Sequence, residues 1–418
     1  MTALTLIAAV AVLLLLRQYL VIVLGAVAAY LYLVHGDGRL TNIVLDGWDE
    51  LNKDVLLAIP LYLLAGALMA EGAIAGRLVR IMRALAGPIP GGLAVATCLS
   101  CGVFAAIVGS SAVTLLAVGS ILYPALLASG YSKSFALGLV CAGATLGIVI
   151  PPSIPLILYG VMTSTSIADL FLAGIGPGLL LLGIFAGYSV LVNWRRRGPR
   201  WQATELLAAL RDGIWALLMP IVVLGGIYSG LFTATESAAV AVVYALFVES
   251  AVYRQLDWRG LVQVTVQTTR LLGGLFPVLM MALSINRWLI YQQVPAQIVA
   301  SLGELFADPL SFMLATNLLL LLVGCLMDIG SAILVLAPIL QPIALAQGFH
   351  AVHFGIMMTV NLEIGYLTPP MGLNIIVAMT AFRENFWFIC RAVLPFIALM
   401  LAGLALVATW PALSLFLL

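Results

Sequence analysis

Long apolar runs alternate along this chain with short polar interruptions. They cover 55–76, 134–165, 169–192, 213–232, 234–250, 262–290, 352–382 and 393–415, with two more at 92–125 and 310–345. The stretches 310–327 and 393–409 hold no charged residue. An α-helix of about 20 such residues crosses a hydrocarbon core of roughly 30 Å. Barrel strands would alternate apolar and polar positions instead. The pattern predicts an all-α polytopic membrane protein. The first run, 2–34, is interrupted by Arg17 and fits one tilted span or two short ones. It is too long for a signal-peptide core and lacks a small-residue cleavage site.

Composition agrees: 64% of the residues are hydrophobic and 8% charged, where a soluble domain carries about a quarter charged. A net charge of +1 gives no reason to expect nucleic acid. The placement of charge is more informative. Arginines gather at 77, 80 and 83, at 195, 196, 197 and 200, and at 254 and 259. The positive-inside rule assigns these breaks to the cytoplasm. The acidic loop 35–54 and the connection 292–309 then lie outside. With those sides fixed, the crossings balance only if 92–125 and 310–345 make no net crossing. Both are predicted as re-entrant hairpins, the first entered from the cytoplasm and the second from outside.

A shift of 218 superimposes the special residues. Pro124 falls on Pro342, Gly130 on Gly348, Gly147 on Gly365, and Pro151-Pro152 on Pro369-Pro370. "YPALLASGY" lies over "QPIALAQGF". Matched Gly and Pro carry weight because they dictate backbone shape. Hairpins on opposite sides make the repeats inverted, the pattern of secondary transporters with interrupted helices.

Each repeat therefore holds Gly-x-x-x-Pro-Pro inside a membrane helix. Proline removes an amide donor and disfavours helix at the residue before it, so each helix is predicted to break. The freed carbonyls need protein, water or an ion. A hard monovalent cation such as Na⁺ suits carbonyl and hydroxyl oxygens. Each break has a polar hairpin tip to meet it: "VGSSAVT" with Ser110, Ser111 and Thr114, and "LMDIGSA" with Asp328, Gly330 and Ser331. An acid near the bilayer midplane costs roughly 2.5–3.5 kcal/mol on insertion scales, so Asp328 calls for a cation, a donor or a proton.

These phrases resemble the large membrane subunit of tripartite ATP-independent periplasmic (TRAP) transporters. The resemblance runs from about residue 55 to 400. It is carried by "LLAIPLYLLAG" (56–66), "GSSAVTLLAVGSI" (109–121), "GATLGIVIPPSIPLILYG" (143–160), "LFTATESAAVAVVYAL" (231–246) and "HFGIMMTVNLEIGYLTPPMGLNI" (353–375). It implies an elevator-type Na⁺ symporter in a bacterial inner membrane, importing a small organic acid. A separate small four-helix membrane subunit and a soluble periplasmic substrate-binding protein would complete it. Repeats 87–168 and 306–385 would form the moving transport domain. Segments 1–86, 169–305 and 386–418 would form the scaffold. By the same resemblance, two or more Na⁺ ions bind. One sodium site comprises Ser110, Ser111, Gly147 and the carbonyls before Pro151, Ile150 included. The second comprises Asp328, Gly330, Gly365, Thr368 and Met371.

Other polar residues in apolar surroundings admit two readings each. Thr114, Asn374, Arg270 and Arg287 are candidates to contact substrate; the alternatives are helix back-bonding for the hydroxyl, a bond to the tip for the Asn374 amide and snorkelling for the arginines. Glu363 is a candidate proton carrier or a partner for an arginine or a subunit interface. Glu236, three residues after Thr233, has capping-box spacing. Cys98-x-x-Cys101 reads as packing, and His350-x-x-His353 as polar surface on an outer loop. Two rivals stay open: proton coupling on the same fold through Asp328 or Glu363, and a membrane-embedded enzyme subunit. The second needs metal or haem ligands, and the chain's three histidines, His35, His350 and His353, all lie near predicted segment ends. No phosphate-binding Gly-rich loop points to nucleotide use.

Overall fold

The Gly and Pro positions that break the apolar runs also mark where the helices end. A computed structural model describes Leu13, residues 18–35, 38–196, Gly198, 202–294, Gln297, Val299, 308–370 and 372–418. Among these residues the chain is helical and has no strand. Ten helices are long and apolar enough to cross a membrane, so this is a multi-pass membrane protein. Most of the run 2–34 up to Arg17, together with Arg197, Arg200, Glu304 and Met371, falls outside the described residues.

The first helices are α1 (Leu20–Tyr30), α2 (Thr41–Leu51), α3 (Ala58–Glu71) and α4 (Ile74–Ala86). Two expectations change here. The acidic segment expected as a loop folds largely as α2, which buries Ile43 and Gly47. Gly47 sits so close to Met280 that a Cβ would lie 2.8 Å from its Cγ. The arginines 77, 80 and 83 are not in an irregular break. They line the polar face of α4, whose other face buries Leu78, Val79, Ile81 and Met82. Spacing of three places arginines on one side of a helix.

The first repeat follows as α5 (Gly92–Val108), α6 (Ser111–Ala128), α7 (Lys133–Val149) and α8 (Ile154–Thr163). Helices α5 and α6 form a hairpin whose tip is Gly109-Ser110. Gly109 adopts φ +64°, where a side chain would be strained. Ser132 caps α7 and Ser153 caps α8, each accepting a backbone N–H three residues on. Three helices come next, α9 (Ile167–Val192), α10 (Ala203–Tyr228) and α11 (Ala234–Phe247), then the long α12 (Trp258–Tyr291). Thr233 and Glu236 form the expected capping box of α11.

The second repeat is α13 (Pro309–Leu326), α14 (Ile329–Ala346), α15 (Ala351–Gly365) and α16 (Leu373–Phe382). Its α14 begins and ends 218 residues after α6, matching the sequence shift at both ends. The connecting glycines correspond as well, Gly130 at φ +78° and Gly348 at φ +84°. Both breaks contain a cis peptide, Pro151–Pro152 and Pro369–Pro370. The correspondence continues one helix further, α17 (Phe386–Thr409) answering α9. A last short helix, α18 (Ala412–Leu415), packs on α9.

The core is largely one apolar cluster running through both repeats. Glycines let its helices approach closely. A Cβ on Gly365 would lie 2.3 Å from the Gly324 carbonyl carbon, and one on Gly138 would lie 2.2 Å from the Ala392 oxygen. Cys98, Cys101, Cys141 and Cys390 are free and buried, as packing residues. His353, expected at a polar surface, is only 1% exposed and its ring nitrogens have no hydrogen-bond partner among the described residues. It sits in the first turn of α15, which is wholly inside the bundle.

Candidate functional site

Proline at 151 and 152 leaves the carbonyls of Gly147 and Ile148 without their i+4 amide donors. Ser153 Oγ donates to the Ile148 carbonyl, which repairs one of the two. The Gly147 carbonyl has no such helical donor. The first tip comes directly against this break. A Cβ on Gly147 would stand 2.9 Å from the Ser110 carbonyl oxygen and 3.0 Å from Thr114 Oγ1. Gly109 lies against the Pro152 carbonyl. Thr114 Oγ1 donates to the Ser110 carbonyl at 2.8 Å. Ser110, Thr114 and Gly147 are thus gathered at one point, with Ser111 adjacent in the chain. Ile150 belongs to the same break, but its side chain turns towards Gly178 and Gly102 of the neighbouring helices.

The second break follows the same logic with different repairs. Pro369 and Pro370 free the carbonyls of Gly365 and Tyr366. Thr368 N donates to the first at 3.0 Å and Asn374 N to the second at 3.1 Å. Thr368 Oγ1 back-bonds to the Ile364 carbonyl at 2.9 Å. The second tip reaches this break through Ile329 N, which donates to Tyr366 Oη at 3.2 Å. Asp328 caps α14, its Oδ2 accepting from Ser331 N at 2.9 Å, and Ser331 Oγ donates to its Oδ1. Gly330 stands beside Asp328 Oδ2 and against Leu158 of α8. Asp328 is exposed while the first tip is half-buried or buried, so the two related tips differ in access. Met371 lies outside the described residues.

Each hairpin also touches the other repeat. Helix α6 packs on α16, and α14 packs on α8. In the first of these contacts Asn374, fully buried, places its side-chain amide against Ser111 Oγ and the Cys141 carbonyl. Its amide is engaged by protein and faces no open space.

The remaining candidates are spread out. Arg287 pairs with Asp46 at 3.4 Å and Asp49 at 3.3 Å, binding α12 to α2. Arg270 is exposed on α12, twelve residues into that helix rather than near its end, and has no ion pair among the described residues. Glu363 is completely buried, and neither carboxylate oxygen has a hydrogen-bond partner among the described residues. Enclosed by its own chain, it offers no surface to a second subunit and has no arginine beside it. Thr145, its counterpart in the first repeat, is its neighbour. Among the described residues no group of three or more metal-ligating side chains is present. A cavity of about 910 Å³ opens at the arginine-rich end, between Arg80 and Arg83 of α4, Gly92 and Leu93 of α5, and Arg196. It lies away from both tips.

Sequence reasoning missed Tyr366. Its hydroxyl joins the second tip to the second break, but a tyrosine next to glycine in an apolar helix gives no signal of that kind.

Comparison with known proteins identifies the family. The family model "Tripartite ATP-independent periplasmic transporter, DctM component" matches residues 7–413. The C4-dicarboxylate TRAP transporter large permease protein of Pseudomonas aeruginosa is 40% identical over 396 residues, covering 94% of this chain and 92% of that protein. The sialic acid TRAP transporter large permease protein of Vibrio cholerae is 35% identical, covering 87% and 86%. The isethionate TRAP transporter permease protein DctMQ of Oleidesulfovibrio alaskensis is 38% identical, and there the match spans 86% of this chain but 58% of that protein. Among solved structures, the Alcanivorax borkumensis YdaH transporter, whose crystal structure is described as having an unusual topology, aligns with a TM-score of 0.67 at 15% identity. That alignment covers 100% of this chain and 99% of YdaH, and at that identity it speaks for the fold alone. This chain belongs to the DctM family, the large permease component of the TRAP transporters.

Proposed function

We propose that this chain is the membrane-embedded motor of a Na⁺-driven symporter that imports a small organic acid across a bacterial inner membrane. The observation that carries the reading is that each polar hairpin tip meets a Pro-Pro break. At the first meeting point the Ser110 carbonyl and Thr114 Oγ1 lie beside Gly147, and the Gly147 carbonyl, Ser111 and Ile150 would complete the site. A second cation would sit among Asp328, Gly330, Gly365, Thr368 and Met371. The donor set fits a hard monovalent cation: oxygen alone, with one carboxylate. Relatives named for C4-dicarboxylates and sialic acid support an organic acid as substrate.

The two repeats move together past the scaffold in an elevator step. A separate small membrane subunit flanks the scaffold, and a periplasmic binding protein delivers the substrate. Two Na⁺ ions descending 100 mV release about 4.6 kcal/mol, and a tenfold gradient adds about 1.4 kcal/mol for each. Returning about 2.3 kcal/mol for an inward-moving monoanion leaves about 5 kcal/mol, enough for accumulation beyond roughly a thousandfold.

The test is uptake into proteoliposomes with all components, titrated with Na⁺, for wild type, Ser110→Ala and Asp328→Ala. Both variants are expected to raise the Na⁺ half-saturation at least fivefold. Variants that keep the wild-type Na⁺ curve, with uptake following a pH step instead, would replace sodium coupling by proton coupling.

A further inference from the structure

Related repeats ought to make related contacts, and at one place they do not. The counterparts of Ser111 and Asn374 under the 218-residue shift are Ile329 and Leu156, which are apolar. Only the first tip is therefore tied to the opposite repeat by polar side chains. Ser111 Oγ lies 2.8 Å from Asn374 Oδ1, and Asn374 Nδ2 also donates to the Cys141 carbonyl at 3.3 Å. The same asparagine then turns to the second break, its backbone N–H donating to the Tyr366 carbonyl that Pro370 has freed. Tyr366 Oη in turn accepts from Ile329 N, the residue next to Asp328. Three hydrogen bonds, linked through the covalent frames of Asn374 and Tyr366, thus join Ser111 in one tip to the residue beside Asp328 in the other. Ser111, Asn374 and Tyr366 are all less than 9% exposed, so water does not compete for these bonds. In the first repeat the equivalent carbonyl, that of Ile148, is closed locally by Ser153, so no mirror-image run exists.

We propose that Asn374 and Tyr366 are positioning residues that couple the two cation sites, so that filling one raises the affinity of the other. This rests on the two-site reading given above and adds to it an order: the sites act as a pair. Binding at Ser111 fixes the hydroxyl, the hydroxyl fixes the Asn374 side chain, and the Asn374 backbone N–H holds the carbonyl of Tyr366, whose hydroxyl seats the second tip. A carrier with this property moves fully loaded or empty and avoids leaking single ions.

The test uses equilibrium binding of radioactive Na⁺ alone to the purified full chain in lipid nanodiscs. Wild type is expected to bind with a Hill coefficient clearly above 1. Tyr366→Phe removes one hydroxyl and keeps the ring. Asn374→Leu installs the side chain found at the related position. Each is expected to bring the Hill coefficient to about 1 and to weaken the second ion's binding by about 5-fold or more, a typical size for allosteric coupling. The double variant should be no worse than the worse single one, because both break one path. A purely structural role would lower the amount of binding-competent protein and leave the Hill coefficient unchanged, and that outcome in Tyr366→Phe overturns the proposal. Wild type binding no Na⁺ would overturn the two-site reading along with it, whereas cooperative binding retained in both variants removes the coupling alone.

Discussion

Gly365 has no room for a side chain: a Cβ there would press into the Gly324 backbone at 2.3 Å. Backbone cannot swing aside as a flexible side chain can, so Gly365→Ala is expected to cost about 1–3 kcal/mol through overpacking. Gly183 on α9 has nothing within 4 Å of the same added atom. Gly183→Ala should be neutral or raise stability by about 0.5–1 kcal/mol, the helix-propensity gain. Thermal unfolding of the two detergent-purified variants checks the contrast, and equal midpoints would contradict it. Asp328 separates two roles in the same way. Asn caps a helix about as well as Asp, so Asp328→Asn should hold the melting temperature while weakening Na⁺ binding. Asp328→Ala should lose about 1 kcal/mol of cap stability in addition. At this scale the Gly and Pro positions were legible in the sequence because they act on the backbone directly. Tyr366 was not, and for Asn374 the sequence offered substrate or the tip as partner without showing that the partner, Ser111, belongs to the other repeat. That distance along the chain carries no local pattern.

Helices α3, α4 and α11 meet at Glu249, in the turn that continues α11. Its carboxylate accepts from Ala73 N at 2.9 Å and Ile74 N at 3.0 Å, closing the otherwise open start of α4. Gly72 gives it space, since a Cβ there would be 2.1 Å from the carboxyl carbon. Glu249→Ala is expected to destabilise by about 1–3 kcal/mol by leaving those amides unsatisfied, read as a lowered midpoint of thermal unfolding. An unchanged midpoint would mean that water replaces the carboxylate. Apolar runs located the membrane-length helices well. They failed at α2, where five acids between Asp37 and Asp54 pointed to solvent. The narrow apolar face around Ile43 and Gly47 was enough to dock on α12. The segments 92–125 and 310–345, expected from charge bookkeeping to make no net crossing, are helix pairs with tips at 109–110 and 327–328.

Within the whole molecule lie two copies of one four-helix plan, and the arginine distribution predicts opposite directions for them in the membrane. Opposite orientation has a direct consequence for the loops between α6 and α7 and between α14 and α15. Ser129 and His350 are both exposed there. In a background lacking the partly exposed Cys325, Ser129→Cys should react with a membrane-impermeant maleimide only from the cytoplasmic side. His350→Cys should react only from the outside. Labelling of both from the same side would contradict inversion. The repeat was visible in the sequence through glycine and proline at fixed offset. The difference in access between the tips was not, because it depends on packing against helices outside the repeats.

The measurement that bears most directly on the central claim is substrate uptake by proteoliposomes holding this chain and its partners, with an inward Na⁺ gradient imposed and then removed at fixed pH and voltage. The two-site account predicts concentrative uptake that stops when the gradient is abolished and depends on Na⁺ more steeply than the first power. Uptake of the same rate and extent in the absence of Na⁺ would contradict it.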